Sequence, residues 1–376
     1  MDQVHGAIVR CLWLRALAIG AVLARCAGML IRRSLFALLI ASLPACADIE
    51  DPALDETESA LSASSWSPMA YVGDSKYPTQ VATLNGVTYM VQSASDSRDL
   101  YWRKRNFDGT WTNLTRIVGQ QSNDRVSLAA FNGYLYMMRV YDSSNTNVWF
   151  SRFDPSTETW SKNSILTLTT FAGPPAMAAF DNKLFIVGTT EADGSYPMWV
   201  ATMTTDEVFT SPQPIARQWS ASRPSLAVLG SKLYVAHRYG STGEIVYSTH
   251  APGAAPRLWS GTRFIYAGPG ASAIQGDDVS IATANDALHL VHRRFDSNYT
   301  WWTYFDQCKW APELTFDTAV ADQPLSLTTS VEGLVISRGN QWYSPTPYAG
   351  THGITTGKFT APPPSITLPQ CLPNAG

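Results

Sequence analysis

The sequence predicts an all-β fold, a six-bladed β-propeller built from four-stranded antiparallel blades. An apolar phrase of twelve residues recurs six times, starting at residues 80, 127, 176, 225, 280 and 326. A repeat of this period with strand-like content is typical of propeller blades. After residue 46, no segment shows the 3.6-residue periodicity of a long helix. The repeat therefore predicts one blade per copy.

Each copy of the phrase predicts a β-hairpin at the centre of its blade. Small residues, mainly Ala and Ser, lead to a two-residue turn such as Asn85-Gly86, Asn132-Gly133 or Asp181-Asn182. These residue types accept the positive φ that tight hairpin turns require. The small side chains of the first strand suit a crowded position beside the central channel, and a more apolar second strand follows.

A second hairpin completes each predicted unit. An aromatic pair such as Tyr101-Trp102 or Trp301-Trp302 indicates the third strand. After a polar turn, an aromatic residue is expected to open the outer strand; these residues are Trp111, Trp160, Phe209, Trp259 and Trp310. Six units of four strands give six blades. A seven-bladed ring is the alternative, and it would need a hidden unit.

Closure of the ring needs a separate argument, because the sixth unit is incomplete. It has the hairpin and an aromatic pair, Gln341-Trp342, but no Trp at the usual distance beyond it. Trp66-Ser67 matches the outer-strand phrase of Trp160-Ser161. We therefore expect residues 66–70 to supply the outer strand of the sixth blade, with Phe359-Thr360 as the competing segment.

The two ends of the chain are expected to lie outside the propeller, which spans 66–360. Residues 1–46 read as a signal-peptide region whose true start is Met29, since two arginines and a short apolar run follow that methionine. The segment before Cys46 resembles a bacterial lipobox, which implies a lipidated Cys46, and a plain secreted protein is the rival. Residues 47–65 predict a flexible acidic tether, and 361–376 form a Pro-rich tail.

Charge and cysteine content narrow the classes of partner. Without residues 1–46 the chain has 22 basic and 29 acidic residues, a formal charge of −7. An acidic body without a Lys/Arg run argues against nucleic acid, and leaves the membrane as a partner only through the N-terminal lipid. Cys308 and Cys371 remain after Cys46, and a disulfide between them is expected in an exported protein.

The repeat carries a family resemblance. The phrase "SLAAFNGYLYMM", an aromatic strand and "DGTW" together resemble the repeat of secreted bacterial lectin-like propellers. Asp108-Gly109-Thr110-Trp111 also resembles the Asp-box turn of sialidases. The resemblance implies a propeller over about 66–345 and leaves function open, because propellers serve as enzymes, lectins and scaffolds. Asp108, Asp154 and Trp111 are expected to be structural.

One column of the repeat predicts a ligand site. Twelve residues after each start lie Gln92, Arg139, Gly188, His237, His292 and Arg338. Here the second strand is expected to leave toward the third, on the face where propellers commonly bind ligands. The polar members, with their neighbours, are the predicted sugar-binding set, because cationic donors and aromatic rings suit hydroxyls and pyranose faces. That set is Gln92, Arg139, Tyr141, His237, Arg238, Tyr239, His292, Arg293 and Arg338. Trp219 and Tyr266 are weaker candidates.

Three functions follow as hypotheses. The first is an exported, lipid-anchored propeller of the cell envelope that binds glycans or glycoconjugates without catalysis, cofactor or metal. The second is a glycoside hydrolase or sialidase-like enzyme, which needs two facing carboxylates; Glu191, Asp193, Asp277 and Asp278 are the loop acids that could supply them. The third is a scaffold that binds a surface protein.

Overall fold

The computed structural model describes most of the chain between residues 67 and 359. The described residues are 67, 70–142, 145–166, 171, 173–190, 196–240, 242–266, 271–294, 299–320, 324–331, 333–340 and 352–359. Within these ranges the chain forms β-strands and no α-helix, so no described helix could cross a membrane. Trp66, Cys46, Cys371, Glu191 and Asp193 lie outside the described residues, together with the predicted signal region, tether and tail.

The strands form six antiparallel blades, as the repeat predicts. Five blades are continuous in sequence and one combines both ends of the chain. The first blade is β2 (Gln80–Leu84), β3 (Val87–Ser93), β4 (Asp99–Lys104) and β5 (Thr115–Gln121). The second is β6 (Ser127–Phe131), β7 (Tyr134–Asp142), β8 (Asn145–Asp154) and β10 (Ser164–Leu166), with β9 (Thr159–Trp160) also paired to β8. The third is β11 (Ala176–Phe180), β12 (Lys183–Thr189), β13 (Pro197–Met203) and β14 (Gln213–Trp219).

The remaining blades follow the same order of strands. The fourth is β15 (Ser225–Leu229), β16 (Lys232–Arg238), β17 (Ile245–His250) and β18 (Arg263–Phe264). The fifth is β19 (Asp277–Ala284), β20 (Ala287–Arg293), β21 (Tyr299–Phe305) and β22 (Leu314–Val320). The sixth is β23 (Ser326–Ser330), β24 (Gly333–Asn340), β25 (His352–Phe359) and β1 (Ala70–Ser75).

The inner strands form a closed ring around the channel. β2 neighbours β6 and β23, and the series continues through β11, β15 and β19 back to β23. Serines at the starts of the phrases join adjacent inner strands: Ser225 Oγ accepts from Ile281 N (3.0 Å), and Ser280 Oγ accepts from Leu327 N (2.9 Å). The small residues of the repeat are thus explained by close approach at the axis.

The hairpin turns have the predicted backbone. Both turn residues have positive φ in Asn85-Gly86 (49° and 79°), Asn132-Gly133 (48° and 81°) and Asp181-Asn182 (50° and 57°). This is the conformation that matches the twist of the flanking strands. The turn types read from the sequence are therefore confirmed at these positions.

Closure of the ring uses the N-terminal segment. β1 pairs antiparallel with β25, and Ser67 exchanges two hydrogen bonds with Lys358, at 2.7 and 2.9 Å. Ser161 makes the same pair of bonds with Arg152, at 2.7 and 2.9 Å. Ser67 and Ser161 are therefore structurally equivalent. The outer strand of the sixth blade is β1 (Ala70–Ser75), so it begins where the predicted segment 66–70 ends. Phe359 instead ends the third strand, β25, and Gln341-Trp342 lies outside the described residues.

The aromatic residues after the polar turns seal neighbouring blades, but they do not open the outer strands. Trp111 forms an isolated β-bridge with Arg105, and β5 begins only at Thr115. Trp310 of the fifth blade packs edge-on against Tyr247 of the fourth, with ring centres 5.7 Å apart. Phe209 of the third meets Phe150 of the second at 5.3 Å. The aromatic positions thus mark contacts between blades.

The Asp-box-like turns are structural. Asp108 Oδ1 accepts hydrogen bonds from the backbone N (2.9 Å) and the hydroxyl (2.6 Å) of Thr110. These bonds lower the pKa of Asp108, because they favour its ionised form. Asp154 makes the same pair of bonds to Ser156. Both carboxylates hold turns away from the channel mouth.

Candidate functional site

The predicted column of polar residues is buried between blades. Gln92, Arg139, His237, His292 and Arg338 each expose at most 2% of their surface. The expectation that this column stands open to a ligand is therefore not met. At Gln92, Arg139 and His237 the periodicity reflects contacts between neighbouring blades.

The contacts of the column explain its polarity. Gln92 Nε2 donates to the carbonyl of Asp74 (2.8 Å), and Arg139 Nη1 donates to the carbonyl of Gln121. Both acceptors belong to the outer strand of the preceding blade. Buried polar side chains need such partners, because an unmet polar group away from water costs roughly 1–3 kcal/mol. At Gln92 and Arg139 the column therefore connects successive blades.

Three other members of the column have different surroundings. His237 Nε2 lies 3.2 Å from Gln218 Oε1 on β14, and burial lowers the pKa of His237 to about 4. At Gly188 the ring of Phe171 occupies the corresponding space, since a Cβ there would lie 2.5 Å from that ring. His292 Nε2 lies 2.6 Å from Glu313 Oε1 within the fifth blade. Sugar binding through these side chains stays a prediction that the structure does not test.

Three neighbours of the column do reach the open face. Arg238 pairs with Asp277 at 3.6 Å, and Arg293 pairs with Asp278 at 2.7 Å. The ring of Tyr239 lies 5.7 Å from that of Phe264. The backbone of Tyr141 belongs to β7, and its side chain lies outside the described residues. Arg238 and Arg293 thus connect the predicted set to two of the loop acids.

A cavity of about 520 Å³ occupies the mouth of the central channel on this face. Its volume falls within the range of small-molecule sites, roughly 300–1,000 Å³. The loops that join successive blades supply most of its wall. The lining residues are Tyr77, Pro78, Asn123, Asp124, Arg125, Thr189, Tyr196, Ser220, Ala221, Ser222, Arg223, Asp277, Asp278 and Pro324.

The wall contains a second repeat column, which the sequence reading missed. Two residues before each inner-strand phrase lie Pro78, Arg125, Pro174, Arg223, Asp278 and Pro324. Five of them line this cavity, and Pro174 lines the channel directly below it. The position is constant while the residue type changes, so it forms no repeated sequence motif. In the sequence it is marked only by its constant spacing of two residues before each phrase.

The charges at the mouth are arranged in pairs. Both guanidinium nitrogens of Arg223 contact the Asp124 carboxylate, one of them at 3.0 Å. Burial lowers the pKa of Arg223 to about 10, and Asp278 partly offsets that effect. Bidentate pairing of this kind fixes the orientation of both groups. Asp124 and Arg223 therefore form a rigid part of the wall.

The Asp278 carboxylate is shifted toward its neutral form. Burial raises its pKa, Asp277 raises it further, and Arg293, Arg125 and Arg223 act against the rise. A bulge in β19 between Asp277 and Ser280, together with a φ of 55° at Asp278, sets its position. Bulges commonly re-aim a side chain next to a functional site. The combination places a protonatable acid at the cavity wall.

Arg125 differs from the other arginines at the mouth. Its guanidinium makes no hydrogen bond or ion pair with any described residue, and it lines both the cavity and the channel below. Burial lowers its pKa, and Asp278 and Asp277 only partly counteract this. Asn123 Oδ1 and Ser222 Oγ, also in the wall, are buried without a hydrogen-bond partner among the described residues. The cavity thus combines a cation, a hydrogen-bond acceptor and a hydroxyl that have no partner among the described residues.

The described residues contain no group of three or more His, Cys, Asp or Glu that could hold a metal ion. Of the four loop acids considered for catalysis, Asp277 and Asp278 line the cavity, and Asp124 joins them as an acid that the sequence reading did not single out. The disulfide between Cys308 and Cys371 stays a prediction, as do lipidation of Cys46 and export.

Comparison with solved structures places the fold. The chain shares its propeller fold with several solved structures. An α-L-arabinofuranosidase from Fusarium graminearum is similar with a TM-score of 0.59 and 12% identity, covering 78% of this chain and 97% of that one. A Hadza microbial sialidase is similar at 0.55 and 11% identity, covering 77% and 65% of the two chains.

The Trypanosoma rangeli sialidase matches at a TM-score of 0.54 and 11% identity, over 76% of this chain and 55% of its own. The chain thus spans less than two thirds of the length of both sialidases. No protein-family model and no curated protein matches the chain. At these identities the comparison establishes the fold alone.

Proposed function

We propose that this propeller binds an acidic carbohydrate at the mouth of its central channel. The observation that carries the proposal is Arg125, a cation with no ionic partner among the described residues, in a cavity large enough for one or two sugar rings. Arg125 is half-buried, and a partly desolvated cation without an ion-pair partner would gain a strong charge-assisted contact from a ligand carboxylate or sulfate. In this proposal the glycan binds at the cavity, and the buried column has a separate role in contacts between blades.

The rest of the wall suits the neutral part of a sugar. Asn123 Oδ1 accepts hydrogen bonds and Ser222 Oγ both donates and accepts, so both match hydroxyl groups. Tyr77 and Tyr196 add aromatic surface for the apolar face of a pyranose. Carbohydrate is also the ligand class of the similar sialidases and arabinofuranosidase named above, which supports the class without identifying the sugar.

The test is binding to a glycan array that carries neutral sugars, uronic acids, sialic acids and sulfated sugars. We expect acidic glycans to bind, and Arg125→Gln to weaken them by about 10- to 100-fold, since a charge-assisted contact contributes roughly 1.5–3 kcal/mol. Arg257→Gln is the matched control, because it removes the same charge from an exposed turn at 251–259. Equal binding by both variants, or a preference for neutral sugars, would contradict the proposal.

A second candidate, glycoside hydrolysis, is favoured by Asp278. A carboxylic acid with a raised pKa is suited to protonate a leaving group, and a second carboxylate such as Asp124 in the same wall supplies the partner that such chemistry needs. Fluorogenic glycosides of acidic and neutral sugars test it. A hydrolase should lose at least 100-fold in kcat on Asp278→Asn. If the wild type binds these glycosides without turnover, hydrolysis is excluded and only the binding function remains.

A further inference from the structure

The fourth blade carries a cluster of exposed aromatic rings beside the cavity. Phe264 and Tyr266 expose 38% and 49% of their surface, and their ring centres lie 6.4 Å apart. Tyr239 stands edge-on to Phe264 at 5.7 Å, with an angle of 72° between the ring planes. We name Tyr239, Phe264 and Tyr266 the aromatic platform. No part of the proposed acidic-sugar site uses it.

Two connections of the backbone fix the platform next to the cavity. Tyr239 directly follows Arg238, whose guanidinium pairs with Asp277 in the cavity wall. Tyr266 forms an isolated β-bridge with Ala273. From Ala273 the chain continues to Asp277 and is hydrogen-bonded on the way to residues 243–245. Four residues of extended chain span at most about 13 Å. The platform therefore lies within the length of a short oligosaccharide from the cavity.

Backbone pairing also indicates that the platform and the cavity wall belong to one continuous surface. Glu244 bridges Gln275, and Gly276 N donates to Gly243 O at 3.0 Å, so the loop after β16 and the segment before β19 run side by side. This pairing holds the platform on the same face as Asp277. Phe264 lies on a strand, and Tyr239 and Tyr266 form isolated β-bridges, so the platform is positioned more precisely than free loops would be.

We infer that the platform is an outer subsite, on which a linear oligosaccharide rests the sugar units that extend beyond the cavity. The inference depends on the proposed function, because the cavity must hold the acidic unit. Aromatic faces attract the C–H groups of a pyranose through their negative π-surface, and tyrosine adds a hydroxyl for polar contact. The exposed area is small compared with the roughly 800 Å² that each partner buries in a stable protein complex, which favours a sugar over a protein.

The experiment compares a monosaccharide with linear oligosaccharides that end in the same sugar, for every acidic sugar that the array identifies. We expect the wild type to bind the oligosaccharide more tightly. Phe264→Ala and Tyr266→Ala should each reduce oligosaccharide affinity by roughly 3- to 10-fold and leave monosaccharide affinity unchanged. Phe107→Ala is the control, since Phe107 is 92% exposed in the turn between β4 and β5, away from the cavity.

The outcomes separate this inference from the proposed function. If the wild type binds acidic sugars but the platform variants keep the full preference for length, the outer subsite is refuted and the cavity site stands. If no glycan binds the wild type, both fail. Phe264→Leu keeps apolar volume without the ring, so a loss of length preference in Phe264→Leu with an unchanged melting temperature excludes misfolding as the cause.

Discussion

Acid should destabilise this propeller through its buried histidines, and His289 is the clearest case. Trp302 Nε1 donates to His289 Nδ1 at 3.2 Å, and His289 Nε2 lies 3.3 Å from the carbonyl of Ala284. The neutral ring with its proton on Nε2 satisfies both contacts. A second proton would place Nδ1–H against the Trp302 N–H, so protonation conflicts with the fold.

The magnitude follows from the shift in pKa. Burial lowers the pKa of His289 from 6.5 to about 4, so between these values the unfolded chain binds a proton that the folded chain does not. The stability that neutral His289 contributes is therefore present above about pH 6.5 and is lost as the pH falls toward 4. His289 alone should cost about 2 kcal/mol between pH 7 and pH 5, and about 3 kcal/mol by pH 4.

The assay is urea unfolding, followed by tryptophan fluorescence, at pH 7, 6 and 5. In His289→Phe the fall in unfolding free energy between pH 7 and 5 should be smaller by about 2 kcal/mol than in the wild type. The absolute stability of this variant will also change, because Trp302 loses its acceptor, so the comparison rests on the slope. An equal slope in both proteins would refute the reasoning.

Three further predictions concern blade contacts and the site. Gly188→Val should destabilise the protein by about 1–3 kcal/mol, because its Cβ would meet the Phe171 ring at 2.5 Å; urea unfolding checks this, and Phe171→Leu in the same chain should recover part of the loss. Ser67→Ala should cost about 1 kcal/mol, as Ser161→Ala should, since each hydroxyl accepts an equivalent backbone hydrogen bond; a neutral Ser67→Ala would contradict the closure geometry. Asp278→Asn should leave the melting temperature at pH 7 unchanged or higher while it alters ligand binding, because burial disfavours the ionised Asp278; a clear loss of stability would show that its ion pairs outweigh its desolvation.

The architecture was predictable because the hairpin turns and blade contacts demand the same residue types in every copy. Asn132-Gly133 provides two positive φ values that most residues resist, so the turn could be read directly. The sixth blade was harder, since residues 341–351 separate its second and third strands and shift β25 away from the usual spacing. The match of Trp66-Ser67 to Trp160-Ser161 nevertheless indicated the closing segment, because Ser67 and Ser161 have to make the same hydrogen bond.

The binding face was harder to predict, because periodicity reports contacts that every blade shares. Arg139 and His237 recur at one position since each blade must be fastened to the one before it. A ligand site breaks the symmetry of the ring, so its residues differ from blade to blade: Arg125, Arg223 and Asp278 occupy one position of the repeat with opposite charges. The cavity is therefore lined by the column whose residue type varies from blade to blade, and not by the column of buried polar residues.

Closure by β1 also has a kinetic consequence. The bond from Lys358 N to Ser67 Oγ joins residues 291 positions apart, so the sixth blade cannot form until nearly the whole chain is present. Contacts of such separation slow folding. Until β1 pairs with it, β25 has an unpaired edge that can pair with the β1 strand of another molecule. Concentrated refolding should therefore yield strand-exchanged dimers, in which each ring is completed by its neighbour's first strand.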